Sequence, residues 1–290
     1  MEITLFTPTY NREWELKELY ESLVNQTNHD FQWLIVDDGS TDGTCETVNA
    51  WIKEDRICIR YLCQKNQGKC AALKNGIRNC DTPWFFCVDS DDTLCCNAVQ
   101  SMLEDIHAEC AHSGIGFVYP QIMSRGDGRW IPDAIHTVNI MDLKNLYGVT
   151  ETAILFKTKY LKKIEIPLFE GEKFLSEEVL YIQLVEYGAF VPRKTGFYCS
   201  EYRDNGLTRN LFDHWVRNPR GTVLLMRQRF EYSRKYRVTY RILERVKCIM
   251  NLNALCMVCR LRIHENTPSI IYSVALFIPS IIWKRIRFRR

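Results

Sequence analysis

Four short apolar runs, each closed by a polar cluster, constrain this chain more than any other feature. Residues 3–8 form the first and stop at Pro8, after which residues 13–25 carry Leu16, Leu19, Tyr20 and Leu23 at helical spacing. Residues 31–36 end in Asp37-Asp38-Gly39-Ser40, and residues 41–54 read as helix. A third run, 57–63, reaches Gln64-Lys65-Asn66-Gln67-Gly68 before a helical 69–79, and 84–88 passes directly into Asp89-Ser90-Asp91-Asp92. Strands alternating with helices in this way predict βαβ units, hence an α/β fold on a Rossmann-like, mainly parallel sheet flanked by helices. Ligands of such sheets bind beyond the carboxyl ends of the strands. Thr9–Asn11, Asp37–Asp42, Asn66–Lys69 and Asp89–Asp92 all fall at that rim.

Downstream the pattern is less regular. It predicts a helix near 98–111, a strand near 116–120, a loop at 124–128, a helix over 177–187, extended chain over 190–197 and helices from Pro219 onward, with no internal repeat. With 290 residues and 46% hydrophobic content the chain can bury a large core, which excludes a small disulfide-stapled scaffold. Its 13 cysteines are odd in number and scattered through predicted elements, as reduced core thiols would be. Cys256 and Cys259 form a CxxC near His264 but lack a second ligand pair, so core packing is the expectation there. Met1 leads straight into residues 2–8 with neither a basic n-region nor a long apolar h-region, so a cytoplasmic catalytic part is expected.

Asp89 and Asp91 stand at the mouth of a buried strand, where carboxylates need solvent or a cation. Such oxygen ligands suit Mg²⁺ or Mn²⁺ shared with substrate phosphates, and a solvated acidic turn is the competing reading. Asp37 and Asp38 fit either an ordinary Asp-Gly-Ser turn or a contact to a nucleobase or ribose. Lys69, following Gly68 at a helix start, is either a phosphate contact or a surface lysine.

Taken in order, the motifs Thr7-Pro8-Thr9-Tyr10-Asn11-Arg12, Val36-Asp37-Asp38-Gly39-Ser40-Thr41-Asp42, Asn66-Gln67-Gly68-Lys69 with Ala72, Asn75 and Gly76, and Asp89-Ser90-Asp91-Asp92 resemble glycosyltransferase family 2, the inverting GT-A group. The resemblance is dense over 3–120 and thinner to about residue 210. It implies a GT-A fold and a nucleoside diphosphate sugar donor, a UDP-sugar first among them. Thr7, Pro8, Tyr10 and Asp38 would line the base and ribose pocket, with Lys69, Asn75, Asp89 and Ser90 near the donor. Asp91 would be the principal ligand of Mg²⁺ or Mn²⁺, Asp89 a second, and Asp92 an outer contact. Where the family carries a Glu-Asp pair with its general base, this chain has Glu177-Glu178, so Glu178, or else Glu177, is the expected base. Residues 202–208, with Arg203 and Arg209, resemble a loop of polysaccharide-building members that closes over the donor. No Gln-x-x-Arg-Trp motif is present, which points to one sugar added per encounter. The acceptor implied is a saccharide or polyprenyl-linked saccharide of a bacterial capsule, O-antigen or exopolysaccharide. A nucleotidyltransferase is the nearest rival, although the first strand lacks a Gly-rich phosphate loop; a catalytically inactive sugar-nucleotide-binding protein of the same fold is the other.

Residues 217–290 hold 17 Lys and Arg against three Glu, a net of +14, leaving −11 on the remainder. A catalytic domain over 1–215 and a basic amphipathic helical tail over 216–290 are therefore expected. In 217–247, basic residues interleave with Leu224, Leu225, Met226, Phe230, Tyr236, Tyr240, Ile242, Leu243 and Val246. The apolar run 270–283 is interrupted by Pro279 and falls short of the about 20 residues a span needs. In-plane or re-entrant attachment to a membrane surface is predicted, with 284–290 as a basic anchor on the cytoplasmic side. Packing against the catalytic domain is the alternative. No nucleic-acid module is recognisable, so nucleic acid is not an expected partner.

Overall fold

The computed structural model of the protein describes residues 1–108, 113–123, 129–200 and 211–288. The end of the expected 98–111 helix and the loops 124–128 and 202–208, with Arg203 and Arg209, lie outside the described residues. The chain divides into two compact units, Met1–Glu165 with Gln183–Arg203, and Ile166–Ile182 with Asp204–Arg290.

The first unit opens with β1 (Ile3–Thr9), α1 (Glu13–Val24), β2 (Phe31–Asp37), α2 (Thr44–Glu54), β3 (Ile59–Cys63), α3 (Lys69–Asn79) and β4 (Trp84–Cys87). β1 pairs in parallel with β2 and β4, and β2 with β3, so the first four runs of the sequence form one parallel block. There follow β5 (Thr93–Leu94), α4 (Ala98–His107), β6 (Gly116–Met123), α5 (Leu143–Tyr147), β7 (Thr152–Lys157) and α6 (Thr158–Leu161). After α7 (Glu178–Leu184), at the boundary of the units, come β8 (Val191–Pro192) and β9 (Tyr198–Ser200). The sheet runs β3-β2-β1-β4-β7-β6-β9-β5, with β8 also on β6; β7 is antiparallel to β4 and β6, and β5 is antiparallel to β9. This is the expected α/β fold with a mainly parallel sheet, extended by antiparallel strands that the sequence pattern did not order.

Alternation along β1 sets both faces of the sheet. Ile3 and Leu5 join Leu16, Leu19, Tyr20, Leu23, Trp33 and Trp51 in one core, where the Tyr20 and Trp51 rings stack at 4.2 Å. Phe6 faces the other way, stacks on Phe85 at 5.2 Å, and lies under α3. Only glycine fits at Gly76 of that helix, because a Cβ there would sit 2.2 Å from Phe6 Cε2. The helix is thereby drawn close to the sheet, and its first residue, Lys69, is carried to the rim.

The second unit contains α8 (Leu211–Arg217), α9 (Pro219–Tyr232), α10 (Val238–Cys259), α11 (Ile263–Asn266), α12 (Ile270–Ala275) and α13 (Phe277–Arg287). Residues 166–182, which the sequence division assigns to 1–215, group with these helices. The cause is polar as well as apolar: the Glu172 carboxylate accepts from the Arg220 and Gly221 backbone amides at 2.9 Å each, and Asn218 Oδ1 accepts from Lys173 N at 2.8 Å and Phe174 N at 3.0 Å. Leu225, Met226 and Phe230 of α9 are buried, whereas Val238, Tyr240, Ile242 and Leu243 on α10 are exposed, so packing absorbs only part of the amphipathic stretch. Cys256 is buried and the Cys259 thiol donates to Val216 O, which fits the core reading of the CxxC.

Candidate active site

The carboxyl ends of β1, β2 and β4 carry the polar clusters, stitched together by side chains that cap backbone groups. Asn11 occupies a left-handed conformation (φ 51°); its backbone N–H donates to Ser40 Oγ at 2.8 Å and its Oδ1 accepts from Thr41 N at 2.8 Å. Asp42 accepts from Thr44 Oγ1 at 2.6 Å. Although burial opposes ionisation there, the Thr44 hydroxyl and backbone amides outweigh it and hold the carboxyl below its usual range.

Asp37 and Asp38 have separate roles. Asp37 is buried, accepting from Ser40 N at 2.7 Å and from the Tyr61 hydroxyl at 2.5 Å. Burial first, and then this carboxylate, push the Tyr61 phenol above its ordinary range. Asp38 Oδ1 accepts from Gln64 Nε2 at 2.8 Å and Gln67 N at 2.9 Å, while Oδ2 accepts from Gly68 N at 2.6 Å. Its carboxylate therefore holds the loop that delivers Lys69. Asn75 braces the same network through Gln64 Oε1 at 2.9 Å.

Lys69 Nζ reaches the Asp89 carboxylate at 2.9 Å. Tyr198, almost wholly buried on β9, accepts from Asp89 N at 3.1 Å and donates to Asp92 Oδ2 at 2.7 Å. Asp92 is pushed up to about 7, first by burial and then by the neighbouring Asp89 and Asp91 charges, against the relief its bond from Tyr198 provides. Arg12 Nη1 stands 3.9 Å from Asp91 Oδ2 and also bonds Glu15 at 2.8 Å. Lys69 and Arg12 thus face three carboxylates at this turn. Asp89 and Asp91 are partly exposed, hard oxygen donors, and they fit a divalent cation that keeps waters and shares phosphate oxygens. Among the described residues no three His, Cys, Asp or Glu converge as a complete protein cage.

Of the expected pocket residues, Tyr10 is an exposed aromatic at the rim and Ser90 is buried beside the acidic pair. Pro8 is buried within β1. The Thr7 side chain faces the core, fully buried, and its Oγ1 accepts from the Trp33 indole at 2.9 Å. The reason is strand parity, which turns Thr7 to the same core as Ile3 and Leu5. Sequence reasoning missed Gln64 and Tyr198. Gln64 sits beside a recognised motif, but Tyr198 is more than a hundred residues from the acidic turn and is brought to it by the pairing of β9 with β5.

Glu177 and Glu178 belong to the second unit. Glu177 Oε2 accepts from the Tyr181 hydroxyl at 3.0 Å, whereas Glu178 Oε2 lies 3.5 Å from Arg229 Nη1. Arg229 is itself gripped by Glu244, at 2.8 Å from Nε and 2.6 Å from Nη2. Burial opposes the charge on Arg229, but the Glu178 and Glu244 carboxylates outweigh it and raise its pKa.

A parallel sheet whose strand ends gather a paired-acid turn, a lysine-bearing helix start and an Asp-Gly-Ser loop has the architecture of the GT-A fold. The family model for glycosyl transferase family 2 matches residues 4–165, and the chain belongs to that family. It is similar to the glycosyltransferase GlyG of Streptococcus pneumoniae, 26% identical over 230 residues that cover 74% of this chain and 76% of GlyG. An uncharacterized glycosyltransferase of Rickettsia felis is 33% identical over 144 residues, 42% of this chain, and the matched part spans only 23% of that longer protein. The fold matches S. aureus TarS 1–349 at a TM-score of 0.60 and 16% identity, covering 100% of this chain and 91% of that one. It also matches the mannosyltransferase PcManGT of Pyrobaculum calidifontis, solved with GDP-Man and Mn²⁺, at 0.57 and 14% identity, covering 99% of this chain and 84% of that one.

Proposed function

We propose that this protein is an inverting glycosyltransferase that moves a sugar from a nucleoside diphosphate sugar, a UDP-sugar first among the candidates, to a hydroxyl of a saccharide or polyprenyl-linked saccharide in bacterial surface-polysaccharide synthesis. The observation that carries the reading is the rim cluster of Lys69, Asp89, Asp91 and Asp92 at the carboxyl end of a parallel strand, with the exposed Tyr10 ring on the same rim. TarS has been solved with UDP-GlcNAc, and TuaG of Bacillus subtilis, 28% identical over 117 residues, is named for teichuronic acid biosynthesis. The first supports a sugar-nucleotide donor and the second a cell-surface polymer.

In this reading Tyr10 stacks on the base, while Asp38 acts by fixing the loop from Gln64 to Lys69. Lys69 exchanges Asp89 for a phosphate oxygen of the donor. Asp91 and Asp89 would hold Mg²⁺ or Mn²⁺, which neutralises the leaving diphosphate when bound. Glu178 takes the proton from the acceptor hydroxyl as that oxygen attacks the anomeric carbon, and Arg229, 3.5 Å away, orients its carboxylate. Glu177, tied to Tyr181, is the less available base. We assign enzymatic work to the cytoplasmic face of a membrane, where a lipid-linked acceptor would be met. A panel of nucleotide sugars, scored for binding and slow hydrolysis with and without Mn²⁺, tests the assignment. Glu178→Gln should retain donor binding and lose turnover. Near-normal turnover refutes Glu178 as the base, binding without turnover by the unaltered protein favours an inactive sugar-nucleotide binder, and pyrophosphate release from a nucleoside triphosphate favours a nucleotidyltransferase.

A further inference from the structure

The last two helices of the second unit are built with their polar side inward. Ser273 of α12 and Ser280 of α13 are buried, and the fully buried Asn253 of α10 donates through Nδ2 to Ser273 O at 3.0 Å and to Ser280 Oγ at 3.3 Å. Trp283 Nε1 donates to Asn251 Oδ1 at 2.8 Å, fixing the same face farther along. Opposite these contacts the chain turns out Ile270, Val274, Ile278, Ile282 and Ile286, spaced four residues apart, together with Ile271. These six are between 57% and 82% exposed. Scattered exposed aliphatics are ordinary, but a continuous stripe along two successive helices is not.

Pro279 lies in the first turn of α13 and cannot donate to the carbonyl four residues earlier, which divides the apolar run into helices of 6 and 11 residues. No described helix is long and apolar enough to cross a membrane. Among the described residues the stripe stays exposed, so an outside surface can cover it. Its charge setting selects the occupant: residues 267–288 contain no acidic side chain, and the last turn of α13 carries Lys284, Arg285 and Arg287. A second copy would bring the same basic rim and repel it, whereas anionic lipid offers hydrocarbon depth for the isoleucines and phosphate for the cations.

We propose that the α12–α13 face seats the protein in the plane of an anionic bilayer, with the isoleucine stripe in the headgroup–acyl boundary and the basic last turn on lipid phosphates. The proposal goes beyond the transferase reading and does not depend on which donor the enzyme uses. Co-sedimentation of the full chain with POPC vesicles containing about one quarter POPG, and with POPC alone, tests it. Strong binding to the first and weak binding to the second is expected, decreasing as salt is raised. Ile278→Asp with Ile282→Asp should lower partitioning roughly a hundredfold, at about tenfold per buried isoleucine. Lys284→Glu with Arg285→Glu, which leaves the stripe intact, should cost roughly fivefold or more per charge on POPG only. Unchanged melting temperatures of the variants exclude misfolding. Equal binding to both vesicles, or retention by Ile278→Asp with Ile282→Asp, overturns the proposal. So does failure to bind vesicles together with a dimer, seen by light scattering, that the aspartate pair dissolves.

Discussion

Replacing Asp38 by alanine separates a residue that positions a loop from one that contacts the base. The side chain is almost wholly buried and its two oxygens take three donors, from Gln64 Nε2, Gln67 N and Gly68 N, at 2.6 to 2.9 Å. Hydrogen bonds to a charged acceptor contribute about 1.5–3 kcal/mol each, and water entering at the rim recovers part of that. A net loss of about 2–4 kcal/mol follows, which lowers the melting temperature by roughly 5–15 °C in a unit of this size. Asp38→Asn should fall between, since one oxygen still accepts while the new amide opposes the Gly68 N–H. Thermal and urea unfolding give the stability, and calorimetric titration with UDP-GlcNAc gives donor affinity. If Asp38 holds the loop, both decline together and Lys69→Met reproduces the affinity loss without the stability loss. A stability change under about 0.5 kcal/mol with a large affinity loss refutes the reasoning and returns Asp38 to the base pocket.

Two further outcomes follow from the packing. Gly76→Ala should destabilise the first unit by about 1–3 kcal/mol despite its better helix propensity, because its Cβ enters the Phe6 ring, and Phe6→Leu should relieve much of that cost in a double-mutant cycle read by urea unfolding. His214 stacks on Phe174 at 5.1 Å, and burial, followed by the Arg217 charge, lowers its pKa. The unfolded chain then binds more protons near and below its ordinary value of about 6.5, so stability should fall as pH drops through that region. His214→Phe should flatten this slope in pH-dependent unfolding curves.

The elements legible in the sequence are those whose signals are local. β1 to β4 and the helices between them follow from apolar runs, and the Asp-Gly-Ser and Gly-Lys segments fall where strand ends must. The motif gives Thr7 without its parity, and parity sends its hydroxyl to Trp33. Tyr198 was invisible because its role arises from the long-range pairing of β5 with β9. In the tail, composition gave amphipathic character without direction. α9 buries its apolar side, whereas Asn253 holds the serines of α12 and α13 inward and leaves their isoleucines outside. One buried amide decides an orientation that periodicity leaves symmetric.

The rim also imposes an electrostatic condition on the donor. Burial first, and then the Asp89 and Asp91 charges, push Asp92 up to about 7, while Lys69 pairs with Asp89 and Arg12 stands beside Asp91 and Glu15. A diphosphate arriving there adds negative charge. Two unit charges about 4 Å apart repel by about 4 kcal/mol at an effective dielectric of 20, and moving Lys69 from Asp89 to the phosphate leaves that repulsion unrelieved. Donor affinity on the proposed reading should therefore fall at least about tenfold, or roughly 1.4 kcal/mol, when divalent ions are removed. Calorimetric titration of UDP-GlcNAc in Mn²⁺ and in EDTA measures it, with uridine as the control that lacks phosphate. Asp91→Asn should reduce the difference between the two conditions for UDP-GlcNAc and leave uridine unaffected. Equal affinities in Mn²⁺ and EDTA for the unaltered protein would mean that Lys69 and Arg12 suffice for the diphosphate, and the assignment of Asp91 as a metal ligand would fall.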